Sequence, residues 1–420
     1  MSILHDVTDK QREAITHIEG PLLIVAGAGS GKTRVITRRI GYLMSQGVNP
    51  YNILAITFTN KAADEMGERV KQFSSHKGLW VSTFHKMCSR ILRSNIDRLG
   101  YSRDFSIYDS TDQLNRVKSI MAELQLDTAQ WKPRAIVSSI SNAKNKLIDP
   151  ESFSLNASDY YRRNVAQIYT KYQALLKANN ALDFDDLLVK TIELFKTYPD
   201  ILEMYRDKFR FILIDEYQDT NYAQYVITRL LADKYKNICV TGDPDQSIYG
   251  WRGADIRNIM DFEKDYPDAK VVLLEQNYRS TKNILHAASS VIQQNRYRKK
   301  KTLWTENING EKIKLIYCDS EHGEADEIVR LINGLNGNGI KYSDIAIFYR
   351  TNAQSRVLEI FLRNNGIPYA IVGGVEFYQR KEIKDILSYL RLCVNPNDEV
   401  ALERSINTPT RGIGNTTVRK

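Results

Sequence analysis

The stretch from Ala26 to Thr33 reads AGAGSGKT, and it constrains the fold more than any other part of the sequence. An apolar run suited to a buried strand, residues 21–26, precedes it, and a run with helical periodicity, residues 33–44, follows it. A strand, a glycine-rich loop and a helix in this order form a Walker A motif, whose backbone N–H groups surround a polyphosphate. The sequence therefore predicts a P-loop that binds a nucleoside triphosphate.

The residues expected to contact the nucleotide in this loop are Ala26, Gly27, Ala28, Gly29, Ser30, Gly31, Lys32 and Thr33. The glycines permit the tight backbone path, and the N-terminus of the helix adds partial positive charge. Lys32 is expected to reach the β- and γ-phosphates, and the Thr33 hydroxyl to hold Mg²⁺. The alternative is a glycine-rich turn that matches by chance, and the flanking strand and helix argue against it.

Two further polar segments follow strand-like runs. Residues 212–216 form an apolar run that ends in Asp215 and Glu216, as in a Walker B motif. Asp215 suits coordination of Mg²⁺, and Glu216 suits activation of the attacking water, although an exposed acidic strand end would look the same. Gln246 follows the strand-like run 237–240 and could bind the γ-phosphate. A turn-rich loop with an idle glutamine is the alternative there.

The alternation of strand-like and helix-like runs predicts an α/β fold with a parallel sheet. Strands are expected at 53–57, 79–82, 211–214, 237–240 and 271–274. Between residues 109 and 198 the pattern is helical, without strands. A second α/β unit is predicted from strands at 312–317 and 344–349 and helices at 324–335 and 355–365.

Composition narrows the class of protein. The net charge of +9 and the isoelectric point near 9.1 point mildly toward an anionic partner. No apolar run approaches the length of a membrane span, and the N-terminus does not resemble a signal peptide, so a cytoplasmic protein without membrane association is expected. The four cysteines form no CxxC pair, which argues against a zinc site or a disulfide framework.

Several strings of this sequence, in this order, resemble superfamily 1 DNA helicases of the UvrD/PcrA/Rep type, and most closely the PcrA-like bacterial members. The strings are AGAGSGKT (26–33), ITFTNKAADEM (56–66), STFHKMCSRILR (82–93), LDFDDLL (182–188), ILIDEYQDTN (212–221), VTGDPDQSIYGWRGADI (240–256), LLEQNYRST (273–281), YRTNAQSR (349–356) and YAIVGGVEFYQRKEIKDILSYLRL (369–392). The resemblance covers essentially the whole chain. It implies an ATP- and Mg²⁺-dependent helicase or translocase that moves 3′ to 5′ on single-stranded DNA in repair or replication.

The resemblance also implies the domain order of a RecA-like P-loop NTPase, with parallel sheets and helical insertions. A first motor domain is expected at 1–105 with 184–276, and a helical insertion at 106–183. A second, incomplete RecA-like domain is expected at 277–378. The start of a second helical insertion, also incomplete, is expected at 379–420.

By the same resemblance, four residues outside the P-loop complete the nucleotide site. Gln11 is expected to read the adenine edge, since its amide carries a donor and an acceptor on one plane. Tyr278 would stack on the base, and Arg34 would lie near it. Arg279 resembles an arginine finger that reaches the γ-phosphate. From the sequence alone, Arg279 could equally be a surface arginine.

The resemblance assigns a second set of residues to single-stranded DNA and to junctions of single and double strands. They are Phe58, Asn60, His85, Tyr249, Trp251, Arg252, Arg350 and Asn352, with Arg356 as a further phosphate contact. Aromatic rings beside an arginine make a stacking platform that tolerates any base sequence, and RNA is not excluded. The alternative for Trp251 is a place in the core. The basic run 296–301 could bind DNA, but a solvated helix end is expected instead.

Two family strings, TxHxAKGLEF and YVAxTRA, are not found in this sequence. The chain is therefore expected to correspond to the N-terminal part of a longer helicase, with a second lobe that leaves sheet edges unpaired. This leaves a second interpretation open, in which the chain binds ATP and single-stranded DNA without unwinding. A third, the motor lobe of a recombination helicase–nuclease, is disfavoured because the sequence shows no nuclease-type carboxylate and lysine cluster.

Overall fold

The computed structural model describes residues 3–73, 78–295, 298–372, 380–413 and 417. The chain divides into two compact units, one formed by 1–310 with 387–420 and the other by 311–386. No helix in these described ranges is long and apolar enough to cross a membrane. The predicted domain boundaries remain predictions.

A six-stranded sheet lies at the centre of the first unit. The strands of this unit are β1 (Leu22–Ala26), β2 (Ile53–Thr57), β3 (Trp80–Thr83), β4 (Ser106–Tyr108), β5 (Ala181–Asp183), β6 (Phe211–Ile214), β7 (Ile238–Gly242) and β8 (Lys270–Leu274). The central sheet has the order β3-β2-β6-β7-β1-β8, and all of its pairs are parallel. The carboxyl ends of its strands therefore meet at one edge, where such sheets bind ligands. The predicted α/β fold with a parallel sheet is confirmed.

Helices cover both faces of this sheet. Those of the first unit are Asp9–Thr16, Lys32–Ser45, Asn60–Lys71, Phe84–Asn95, Ser110–Glu123, Pro133–Asn145, Pro150–Leu155, Tyr160–Ala178, Phe184–Thr197, Pro199–Lys208, Tyr222–Ala232, Arg257–Met260, Phe262–Asp265, Lys282–Ile292 and Glu399–Ser405. Along β1, Leu23 and Val25 join one apolar core and Leu22 and Ile24 join the other. This explains why β1 is apolar throughout, as strands buried on both faces are.

Hydroxyl side chains fix where the helices after β2 and β3 begin. Thr59 Oγ1 accepts a hydrogen bond from the Ala62 N–H at 3.1 Å, and Thr83 Oγ1 accepts one from the Lys86 N–H at 3.4 Å. Each bond satisfies a backbone donor that the first turn of a helix leaves free.

The segment between β4 and β5 is mainly helical and packs around a separate apolar core that includes Trp131, Tyr169 and Tyr172. β4 and β5 pair in parallel at its base, from Ser106 opposite Ala181 to Tyr108 opposite Asp183. The expectation that residues 109–198 contain no strand is therefore wrong at β5. A strand of three residues is too short to show a period that sequence analysis could detect.

Residues 391–403 pack on this helical segment through polar contacts. Asn395 Nδ2 donates to Ser106 Oγ and to the Asn179 carbonyl, each at 3.0 Å. Arg116 donates two hydrogen bonds to the Glu403 carboxylate, at 3.1 and 2.7 Å. These contacts hold residues 395–403 against the helical segment.

In the second unit, helices Glu321–Gly337 and Asn352–Asn364 pack around Val329, Ile332, Leu362 and Ile367. A further helix, Lys381–Val394, begins in this unit and ends in the first. The strands predicted at 312–317 and 344–349 are not formed, because these runs have no ladder partner in the described part of the chain. Their apolar side chains, such as Tyr317 and Phe348, are consequently exposed.

Candidate functional site

The P-loop connects β1 to the helix that begins at Lys32. Gly29 and Gly31 have φ angles of +69° and +87°, a left-handed region that disfavours any side chain. A Cβ on Gly29 would also lie 2.6 Å from Asn277 Nδ2. Ser30 Oγ donates to the Gly27 carbonyl at 2.8 Å. The loop thus has the glycine-dependent backbone path that a polyphosphate cradle requires.

The predicted phosphate-binding lysine and the predicted water-activating carboxylate meet at the carboxyl edge of the sheet. Lys32 Nζ lies 2.8 Å from Glu216 Oε2, and Gln218 Nε2 donates to the same oxygen at 2.9 Å. Glu216 has a φ of +54°, which is uncommon for a residue with a side chain and is frequent at functional sites. Gln218 was not predicted, although it stands two residues after Glu216 in the DEYQD string.

Asp215 follows β6 directly and is buried. Burial and the neighbouring Glu216 raise its pKa to about 7. A nearby divalent cation would favour the ionised carboxylate, and oxygen donors such as Asp215 and Thr33 are the ligands that Mg²⁺ prefers. No group of three or more metal-binding side chains occurs among the described residues.

Gln246 is fixed by hydrogen bonds. Its Nε2 donates to Asp243 Oδ2 at 2.6 Å, and the Asp243 N–H donates to Gln218 Oε1 at 3.0 Å. Gln246 also lines a cavity of about 220 Å³ together with Ala28 of the P-loop. A continuous series of polar contacts thus joins Lys32 to Gln246 through Glu216, Gln218 and Asp243.

A second cavity, of about 480 Å³, lies on the other side of the P-loop and is lined by Gln11, Tyr278 and Trp304. Gln11 is buried, and its Nε2 donates to the Ser30 carbonyl at 3.3 Å. Tyr278 is half exposed, and its N–H donates to the Gly29 carbonyl at 3.0 Å. A planar amide and an aromatic ring on one cavity are suited to a purine base.

The two predicted arginines differ in how they are held. Asn277 Nδ2 donates to the Ala28 carbonyl at 2.7 Å, and Asn277 Oδ1 accepts from the Arg279 N–H at 2.9 Å. The backbone of Arg279 is therefore fastened to the P-loop, while its side chain is exposed. Arg34 Nη2 donates to the Asp6 carbonyl at 2.7 Å, just before the helix that carries Gln11. Asn277 was not predicted as a site residue.

Three aromatic rings form a continuous row, here called the aromatic track. The rings of Phe58 and Tyr249 stack with centroids 4.8 Å apart, and those of Tyr249 and Trp251 are 6.5 Å apart. The Arg252 guanidinium lies 4.6 Å from the Trp251 ring. Trp251 is 66% exposed, so the alternative of a core position is wrong.

The aromatic track lies in an open groove of about 550 Å³, whose walls include His85, Arg134 and Asn145. Burial lowers the pKa of His85 to about 4, so its imidazole is neutral at pH 7. The His85 ring stands edge-on to the ring of Phe184, with the two centroids 5.8 Å apart. Phe184 is exposed, and it was not predicted as a DNA-binding residue. The LDFDDLL string that contains Phe184 was the available signal.

Other residues predicted to bind DNA lie outside this groove. Asn60 is exposed at the start of its helix and is not among the groove's lining residues. Arg350, Asn352 and Arg356 are exposed at or near the N-terminus of helix Asn352–Asn364 in the second unit. Their roles remain predictions.

The described part of the basic run, residues 298–301, lies beyond the helix that ends at Ile292, and cations in it are paired rather than solvated. Arg296 and Tyr297 lie outside the described residues, but Lys301 is 2% exposed and pairs with Asp243 and Asp245. Arg298 also pairs with Asp245, at 3.2 Å. The expectation of a solvated helix end is wrong for Arg298 and Lys301, because the buried carboxylates of Asp243 and Asp245 pair with them. Charged side chains are otherwise mostly exposed, and the sequence does not show these distant partners.

Residues 7–267 match the family model of the UvrD/REP helicase N-terminal domain. The chain belongs to the UvrD/REP helicase family. Residues 272–420 match the model of the UvrD-like helicase C-terminal domain. Proteins named ATP-dependent DNA helicase PcrA from Staphylococcus aureus and Staphylococcus epidermidis are each 54% identical to this chain over 422 residues. The alignments cover 100% of this chain and 58% of each relative, so the chain spans less than two thirds of their length.

Proposed function

We propose that this chain acts as an ATP- and Mg²⁺-dependent motor on single-stranded DNA, as a DNA helicase or translocase. The observation that carries this proposal is the loop after β7, in which Gln246 faces the P-loop cavity and Tyr249 and Trp251 form the aromatic track. One short loop therefore joins a γ-phosphate contact to a base-stacking surface. Such a connection is what a motor needs to couple hydrolysis to movement along a strand.

The polar residues have distinct roles in the proposed hydrolysis. A polyphosphate in the P-loop would take Lys32 as its counter-ion and leave Glu216 to accept a proton from the attacking water. Asp215 and Thr33 would hold Mg²⁺, which neutralises charge on the phosphates when bound. Gln246 would hydrogen-bond the γ-phosphate, and the Arg279 guanidinium would stabilise the charge that develops there.

DNA binding in the groove would be independent of base sequence. Bases stack on Tyr249 and Trp251, and Arg252 supplies positive charge for the backbone, so no base edge needs to be read. A preference for junctions, movement from 3′ to 5′, a role in repair or replication, and a cytoplasmic location follow from the resemblance and belong to the proposal. The relatives' name, ATP-dependent DNA helicase PcrA, supports DNA over RNA.

Strand displacement tests the direction and the substrate. Partial duplexes with a 3′ or a 5′ single-stranded tail are incubated with the protein and ATP, and release of a labelled strand is followed. We expect ATP-dependent release from the 3′-tailed duplex only. Release from 5′-tailed substrates alone would contradict the proposed direction, and preference for an RNA tail would contradict the substrate.

A second candidate is an ATP- and single-strand-binding protein without unwinding activity. The observation that favours it is the second unit, where the predicted strands at 312–317 and 344–349 form no ladder in the described residues. DNA-stimulated ATP hydrolysis distinguishes the two candidates, because only a motor couples DNA binding to turnover.

A further inference from the structure

We propose that Lys301 is a positioning residue for recognition of the γ-phosphate. In this role it orients the Asp243 carboxylate that holds Gln246. The inference rests on the proposed nucleotide site and extends it to a residue that neither the P-loop pattern nor the family resemblance identified. Lys301 lies 55 positions after Gln246 in the sequence and reaches it only through the fold.

The two oxygens of Asp243 have different partners. Oδ1 pairs with Lys301 Nζ and also accepts a hydrogen bond from the Asp245 N–H at 3.0 Å, whereas Oδ2 accepts the hydrogen bond from Gln246 Nε2 at 2.6 Å. A carboxylate is planar, so fixing one oxygen fixes the direction in which the other accepts. Lys301 and the Asp245 N–H therefore together set where the Gln246 amide is held, and Lys301 supplies the charge in this arrangement.

Burial makes this orientation strict. The side chains of Asp243, Asp245 and Lys301 are 3%, 7% and 2% exposed, and Lys301 Nζ bridges the two carboxylates. Arg298 pairs with Asp245, whereas Lys301 is the cation on Asp243 that the described residues show. Without the ammonium group, Asp243 would be a buried anion without its cation, a strongly unfavourable state. The Asp245 N–H alone would then hold Oδ1, and the direction in which Oδ2 accepts from Gln246 would be less strictly fixed.

The segment that carries Lys301 also contacts the P-loop. A Cβ added to Gly27 would lie 2.2 Å from Leu303 Cδ2, so Leu303 packs directly against the loop. Ala28, Gln246 and Lys301 line the same cavity of about 220 Å³. Segment 301–303 thus contacts the P-loop through Leu303 and the Gln246 loop through Lys301.

A purely structural ion pair and a positioning residue differ in what they do to nucleotide selectivity. A structural pair supports the fold and would affect ADP and ATP binding alike. A residue that positions Gln246 affects only the nucleotide that carries a γ-phosphate. The informative quantity is therefore the ratio of the dissociation constant for ADP to that for ATPγS, measured calorimetrically on the full chain with Mg²⁺.

We expect the wild-type ratio to exceed one and Lys301→Met to lower it by about 3- to 10-fold, the value of one hydrogen bond. The ADP dissociation constant should change by less than about twofold, because the contacts to the base and the β-phosphate are intact. Lys301→Arg should restore part of the ratio. Lys300→Met is the matched control, because Lys300 is the exposed neighbour, and it should leave the ratio unchanged.

A double variant tests the route through Asp243. If Lys301 acts through Gln246, then Lys301→Met combined with Gln246→Ala should give the ratio of Gln246→Ala alone. If Lys301→Met alone does not fold, Lys301→Met with Asp245→Asn removes one buried charge of each sign. In this double variant Asp243 and Gln246 are unchanged, but Asp243 still lacks its cation. We therefore expect the ratio of the ADP to the ATPγS dissociation constant to be lowered as in Lys301→Met.

The outcomes separate this inference from the proposed function. Failure of the wild type to bind either nucleotide would overturn both. Normal binding with a wild-type ratio near one would overturn the inference alone. An unchanged ratio in a folded Lys301 variant, or equal weakening of ADP and ATPγS, would show that the ion pair is structural only.

Discussion

Removal of the Trp251 side chain tests the aromatic track. The ring is 66% exposed, so Trp251→Ala should change the free energy of unfolding by no more than about 0.5 kcal/mol. Stacking of a base on an aromatic ring contributes about 1–3 kcal/mol. The ring also lies 4.6 Å from the Arg252 guanidinium, and losing this cation–π contact leaves Arg252 less well placed. We therefore expect binding to single-stranded DNA to weaken by about 2 kcal/mol, or roughly 30-fold in the dissociation constant.

The assay is fluorescence anisotropy of a labelled oligothymidine at one fixed salt concentration, because DNA affinity depends steeply on salt. Trp251→Phe keeps a ring and should retain most of the affinity. Tyr51→Ala is the matched control, since Tyr51 is 59% exposed and is not among the residues that line the groove. A dissociation constant within twofold of wild type for a normally stable Trp251→Ala would refute the stacking role.

Three further outcomes follow from the site. Gly29→Ala should weaken ATP binding at least tenfold, because φ is +69° and the new Cβ would lie 2.6 Å from Asn277 Nδ2; unchanged binding of a fluorescent ATP analogue would contradict this. The pKa of His85 is lowered from 6.5 to about 4, so the stability it confers is complete above pH 6.5 and falls as the pH drops toward 4. Thermal melts across this range should show a shallower loss for His85→Phe, and parallel curves would count against it. Asp215→Asn, like chelation of Mg²⁺, should abolish ATP hydrolysis, and full turnover in either case would exclude the proposed metal role.

The central sheet could be predicted from the sequence because its strands are short, apolar runs that end in polar loops. The structure has strands at the predicted 53–57 and 211–214 without any shift. Strands buried on both faces by flanking helices have this composition, and each is followed by residues that the carboxyl edge of the sheet brings together. The pairing of Lys32 with Glu216 follows from that geometry.

Contacts between distant segments could not be predicted in the same way. Lys301 reads as part of an exposed basic run, and only the fold shows that Asp243 and Asp245 surround it. Gln218 and Asn277 carry no pattern of their own, yet they join the parts of the nucleotide site. The runs at 312–317 and 344–349 have strand-like composition, but a strand also needs a neighbour to bond with.

ATP hydrolysis by the purified chain, with and without a single-stranded oligonucleotide and beside Lys32→Ala, tests the central claim most directly. The account predicts slow hydrolysis alone, strong stimulation by the oligonucleotide, and loss of both in Lys32→Ala with its thermal stability retained. Binding of ATP and DNA without turnover would favour the second candidate, a binding protein without motor activity. Hydrolysis that is unaffected by Lys32→Ala would contradict the assignment of the P-loop itself.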